Sequence, residues 1–100
     1  MSAKIAIDHG QIADFCHRHQ VRKLALFGSV LRDDFLPDSD VDVLVEFEPG
    51  ASAGFLRLAG MEEELSRMLH RQVDLRTPAE LSRYFREEVV RSAEVQYARR

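Results

Sequence analysis

No stretch of this chain is apolar over the roughly 18 residues that a membrane span requires. The N-terminus also lacks the apolar h-region of a secretory signal, so neither insertion nor export is expected. A single cysteine, Cys16, excludes an internal disulfide and fits a reducing cytoplasm. Beside Ile12 and Phe15 it reads as a small core hydrophobe, not a reactive thiol. Repeats, low-complexity tracts and linkers are missing too. With 100 residues and 45% hydrophobic content, residues 1–100 are expected to make one α/β domain with no room for a second.

Positive charge is scarce in a telling place. The formal net charge of −3 argues against broad nucleic-acid binding, which needs a basic footprint. No Lys or Arg lies between Arg32 and Arg57, whereas Asp33, Asp34, Asp38, Asp40, Asp42, Glu46 and Glu48 all fall there. Solvated surface explains several of these acids. It explains Asp42 poorly, because that residue sits inside an apolar run. The four histidines show no ligand spacing with a carboxylate, so surface or core packing is expected for each. Arg83, Arg86 and Arg91 are interleaved with Glu87 and Glu88, the pattern of a solvated helix face.

Periodicity yields the element order. Asp8-x-x-Gln11 resembles a capping box, and Ile12, Phe15, Cys16 and His19 recur at helical spacing over residues 9–19. Leu24 to Phe27 is a buried-strand run halted by Gly28, and residues 29–33 can make a short helix. Pro37-Asp38-Ser39 is a turn by composition, followed by a strand over 41–47. Leu58, Met61, Leu65, Met68 and Leu69 form one stripe of a helix over 55–70, with Glu62, Glu63, Ser66 and Arg67 largely opposite. Residues 72–76 read as a third strand, Thr77 caps a helix starting at Pro78, and helical character resumes over 85–92. The alternation of 93–97 suggests an edge strand, whose Val95 and Tyr97 would invite a second copy.

Two carboxylates carry the chemistry of the central stretch. Side chains at i and i+2 of a strand share a face at about 6.6 Å, so Asp40 and Asp42 point together, away from Val41, Val43, Val45 and Phe47. Such a pair repels itself unless a proton or cation intervenes, and a hard divalent ion such as Mg²⁺ suits oxygen ligands. Asp74, between Val73 and Leu75, repeats the apolar-Asp-apolar pattern. Asp40 alone could equally cap an ordinary turn, and Gly28-Ser29 alone could be a plain turn. For Arg32, a surface ion pair competes with a phosphate contact.

Gly28-Ser29, Arg32 and Ser39-Asp40-x-Asp42, placed between two strands and followed by Asp74, resemble the signature of the DNA polymerase beta-type nucleotidyltransferases. The similarity is greatest to their minimal nucleotidyltransferase (MNT) branch and covers nearly the whole chain. It implies a small mixed β-sheet with helices packed mainly on one face. It also implies that Asp40, Asp42 and Asp74 are catalytic and hold Mg²⁺, two ions being the expectation, with ATP as substrate. Gly28 would let the backbone approach the phosphates, and Ser29 with the following amides would bind them. Arg32 would meet a phosphate or hold an acidic loop residue, and Ser39 would orient the turn delivering Asp40. This chain departs from relatives at Leu31, Asp33 and Asp34. The two acids would weaken nucleotide binding unless they turn outward.

MNT proteins are commonly paired with a helical HEPN protein, as antitoxin and toxin. The resemblance therefore implies transfer of AMP to a hydroxyl, that of a tyrosine, on such a partner. It also implies an acceptor supplied by another molecule, because no acceptor-binding domain follows. Two other functions stay open. One is a module that neutralises its partner by occlusion, and the other is a small-molecule or RNA nucleotidyltransferase working within an oligomer.

Overall fold

The computed structural model describes residues 5–31, 36, 39–81 and 83–99, without the side chains of 83–85. Arg32, Asp33, Asp34 and the Pro37-Asp38 part of the expected turn lie outside the described residues.

Asp8 opens the first helix, α1 (His9–His19), by accepting the amides of Gly10 and Gln11 at 3.0 and 3.1 Å. These are two of the donors that a helix N-terminus leaves unpaired. The helix ends on Gln20 in a left-handed conformation, and the chain turns at once into β1 (Val21–Phe27). β1 starts at Val21 rather than Leu24, because a bulge between Val21 and Lys23 masks the pattern. An inserted residue flips side-chain parity. Val21 therefore joins Leu24 and Leu26 on one face despite their spacing.

The remaining elements follow the expected order. β2 (Val41–Phe47) lies antiparallel to β1, and α2 (Phe55–Leu69) leads to β3 (Val73–Arg76), parallel to β2. α3 (Arg83–Ser92) and β4 (Glu94–Ala98) close the chain, with β4 antiparallel to β1. The sheet order is β3-β2-β1-β4, the small mixed sheet that was expected. The segment at Pro78 is a correction. It makes only a 3₁₀ turn, Pro78–Glu80, stapled by Thr77, whose amide and hydroxyl donate to Glu80 Oε1 at 3.3 and 3.1 Å. Leu81 then adopts extended backbone and buries its side chain, so the helix cannot continue.

Strand alternation divides the core in two. On one face α1 and α2 lay Ile12, Phe15, Cys16, Met61 and Leu65 against Val41, Val43, Val45, Val73 and Leu75. On the other, Val89 of α3 and Leu81 cover Phe27 and Leu44. Two of the three α-helices among the described residues thus share a face. Arg86, Glu87, Glu88 and Arg91 are exposed, as a solvated helix face requires. Cys16 is fully buried, and burial pushes its thiol up to about 12, so it packs and does not react.

A polar strap joins the two helices on the first face. Arg18 donates to Asp14 at 2.8 Å and to Glu64, while His19 Nε2 lies 2.9 Å from the other Glu64 oxygen. The Arg18 guanidinium holds the Glu64 carboxyl below its usual range. A depressed carboxylate adds stability above its unfolded pKa of about 4.3 and loses it as pH falls through the folded value. Glu64→Gln is therefore expected to cost less than about 1 kcal/mol at pH 7, the scale of an exposed pair. Thermal melts should show the gap closing toward pH 3, and an unchanged gap would refute this account.

Candidate active site

Register, more than spacing along the chain, assembles the site. Asp42 pairs with Asp74 across the parallel β2–β3 ladder, where strands stand about 4.8 Å apart. Both have core valines or leucine as chain neighbours, so both carboxylates belong to the opposite face of the sheet. Each is half-buried. Like charges at paired positions of a sheet favour a cation between them.

Gly28 adjoins Asp42 from the other side. Phe27, the last residue of β1, pairs with Asp42, and Gly28 follows with φ +77°. A Cβ on Gly28 would stand 2.3 Å from Asp42 Oδ2. Only glycine allows both this backbone conformation and this approach. The 3₁₀ turn Gly28–Leu31 is anchored by buried Val30 and Leu31, leaving Ser29 half-buried at the rim.

The remaining expected residues are less converged. Asp40 is exposed and lies just before β2. The Ser39 hydroxyl accepts the Leu36 amide at 3.0 Å, and the Ser39 amide donates to the Leu36 carbonyl at 3.0 Å. These two bonds tie Ser39 to Leu36 just before Asp40. Arg32 lies outside the described residues. Among the described residues no three His, Cys, Asp or Glu side chains are grouped closely enough to hold an ion. Asp74 instead accepts Arg76 Nη2 at 3.0 Å, and Arg76 lies 3.8 Å from Glu80. The candidate ligands Asp40, Asp42 and Asp74 offer only carboxylate oxygens, a set that fits a hard divalent ion.

Several neighbours of the site were not read from sequence. Glu62 and Ser66, placed opposite the apolar stripe, are half-buried and do not simply face solvent. Glu62 Oε2 accepts the Leu75 amide at 2.8 Å, and Ser66 Oγ accepts the Val73 amide at 2.9 Å. Nothing in helical periodicity marks a polar residue that pairs with a strand edge. Phe55 and Leu56 open α2 with 85% and 84% exposure. Phe55, Leu58 and Ala59 line an open cleft of about 290 Å³, and Asp74, Arg76 and Glu80 also belong to its lining.

The chain belongs to the nucleotidyltransferase domain family, whose profile matches residues 10–97. A chain solved as a candidate minimal nucleotidyltransferase is 34% identical, aligns over 85% of each chain and has a TM-score of 0.70. The protein adenylyltransferase MntA of Thermococcus cleftensis is 43% identical over 58 residues, which are 58% of this chain and 57% of that protein. The match covers 62% of a candidate protein adenylyltransferase of Methanocaldococcus jannaschii, so the chain spans under two thirds of these curated relatives. A chain from the complex of a tri-AMPylated Shewanella oneidensis HEPN toxin with an MNT antitoxin shares the fold. Its TM-score is 0.66 at 18% identity, over 90% of this chain and 69% of that one.

Proposed function

We propose that residues 1–100 act as a minimal nucleotidyltransferase domain that moves AMP from ATP to a tyrosine hydroxyl of a HEPN partner, silencing it as an antitoxin. The observation that carries this reading is the register of Asp42 with Asp74, with the Gly28 backbone against Asp42. The adenylyltransferase names of the curated relatives and the AMPylated HEPN toxin in the related complex support it. A cytoplasmic setting suits ATP as donor and a single unpaired cysteine.

Each residue has a physical task in this reading. Asp40, Asp42 and Asp74 would hold Mg²⁺, two ions in the full site, which neutralise the triphosphate and the charge developing at the α-phosphorus. Gly28 and the amides of the turn after it receive the phosphates, and Ser29 adds a hydroxyl donor. The sheet order puts Gly28 and Asp74 on opposite sides of Asp42. Pyrophosphate therefore leaves on the β1 side, and the attacking oxygen enters in line from the β3 side. The new bond joins the tyrosine oxygen to the α-phosphorus as the bond to the β-phosphate bridge breaks, and Asp74 takes the hydroxyl proton.

The cleft beside Asp74 suits that acceptor, since apolar Phe55, Leu58 and Ala59 share its lining with the Asp74 carboxylate. Phe55→Ala is expected to raise the KM for the protein acceptor roughly tenfold, as loss of an aromatic anchor does. The KM for ATP should stay within about twofold, since the phosphate turn follows β1 whereas Phe55 lines the cleft beside β3. Equal rises in both constants would remove Phe55 from the acceptor site.

The direct experiment incubates the chain and its HEPN partner with Mg²⁺ and either α-labelled or γ-labelled ATP. Label on the partner from the α position alone establishes nucleotidyl transfer. Label from the γ position alone means phosphoryl transfer and overturns the reading. Neutralisation by occlusion is favoured by one feature, the Arg76 contact that engages Asp74 where no three-carboxylate group is formed among the described residues. It would show as nucleotide bound and the partner silenced with no label transferred.

A further inference from the structure

We propose that Glu62 and Ser66 are positioning residues for Asp74, gripping the edge strand on either side of it. This rests on Asp74 being one of the site's carboxylates. β3 is the edge of the sheet, with β2 on one side only. Its alternate backbone groups serve the ladder with β2, as in the bond from the Val41 amide to the Gln72 carbonyl at 2.9 Å. The amides of Val73 and Leu75 therefore point outward, where no strand among the described residues receives them. Asp74 sits between these two amides.

α2 reaches both. Glu62 Oε2 accepts Leu75 N–H at 2.8 Å, and Ser66 Oγ accepts Val73 N–H at 2.9 Å. Ser66 also donates its own proton to the Glu62 carbonyl at 2.8 Å, which fixes the hydroxyl so that a lone pair faces the strand. Spacing makes the double contact possible. Residues i and i+4 of a helix are about 6 Å apart along its axis, and i and i+2 of a strand about 6.6 Å. The neighbours Met61 and Leu65 are fully buried, so the grip is tied to the main core. Asp74 is thereby held opposite Asp42 by β2 on one side and by α2 on the other. Without α2, the end strand of a four-stranded sheet would fray, and the Asp42–Asp74 register would fray with it.

The same contacts could merely seal a sheet edge against pairing with another chain, or Glu62 could serve the site by its charge. Three variants separate these roles. Glu62→Gln keeps an oxygen acceptor without the charge, whereas Glu62→Leu removes the acceptor at similar size. Ser66→Ala removes the second grip, so the proposal is still tested if Glu62→Leu fails to fold. The readouts are amide hydrogen exchange at Val73 and Leu75, Mn²⁺ binding in the presence of a non-hydrolysable ATP analogue, and the kinetics of transfer.

In Glu62→Leu, Leu75 exchange should rise at least about tenfold, as local opening becomes easier. Mn²⁺ affinity and kcat should each fall about tenfold, with the KM for ATP within about threefold. Glu62→Gln should stay within about threefold of the wild type throughout. Ser66→Ala should speed exchange at Val73 and lower kcat in the same sense. If Glu62→Gln is damaged as badly as Glu62→Leu, the charge matters and the proposal falls. If exchange rises while Mn²⁺ binding and kcat hold, the contacts only seal the edge, and it falls again. Wild-type chain that binds no Mn²⁺ also overturns it. Absence of transfer in the wild type would sink the functional reading alone, since exchange and Mn²⁺ binding still decide the roles of Glu62 and Ser66.

Discussion

Asp42→Asn is expected to lower AMP transfer at least about a thousandfold, roughly 4 kcal/mol of transition-state stabilisation. The change keeps the size of the side chain and removes the charge that faces Asp74 across the β2–β3 register. In the proposed site a ligand oxygen would be lost, and an amide nitrogen that repels a cation could take its place. Folding should survive, because Asp42 is only half-buried and its strand neighbours Val41 and Val43 stay in the core. The checks are α-label transfer to the HEPN partner and binding of that partner in the same preparation. Lost transfer with binding retained supports catalysis. A variant that still silences the partner in full would show that occlusion, not chemistry, is the mechanism.

Gly28→Ala is the second large effect. The left-handed backbone at Gly28 (φ +77°) costs an L-residue about 1–2 kcal/mol, and the new methyl would also meet Asp42 Oδ2 at 2.3 Å. The carboxylate has to move. Transfer should therefore fall a hundredfold or more, about 2.7 kcal/mol, together with a Tm drop of about 5–10 °C. Gly50 offers an internal control. It has φ +82°, but nothing lies within 4 Å of a Cβ there. Gly50→Ala should lose similar stability and keep its activity. Equal activity losses in the two variants would mean that backbone strain, not contact with Asp42, accounts for the first.

Much of this molecule could be read before any coordinates. Asp8 marks the start of α1, Gly28 the end of β1, and the alternating valines after Asp40 mark β2. Each signal is local, carried by a cap, a breaker or a period of two, and so survives in one dimension. The start of β1 was not legible, because the bulge after Val21 breaks the alternation on which strand recognition depends. The segment after Thr77 misled for a related reason. Pro78 and Glu80 form a good helix start, but Leu81 is drawn into the core beside Phe27 and Leu44, and tertiary burial overrides the local preference. Glu62 and Ser66 looked like solvent-facing polar positions, since their partners are backbone amides on another element.

The sequence by itself determined the element order, the apolar face of each strand and the types of residue available to the site. Those properties follow from neighbours a few positions apart. It also supplied the Gly-Ser, Asp-x-Asp and later Asp pattern that marks the family. Only the tertiary structure decided that Asp74 lies opposite Asp42, that Gly28 touches the Asp42 carboxylate, and that α2 holds the edge strand beside them. These are contacts between residues far apart in the chain. Strand register and helix placement set them, through the summed packing of the whole core.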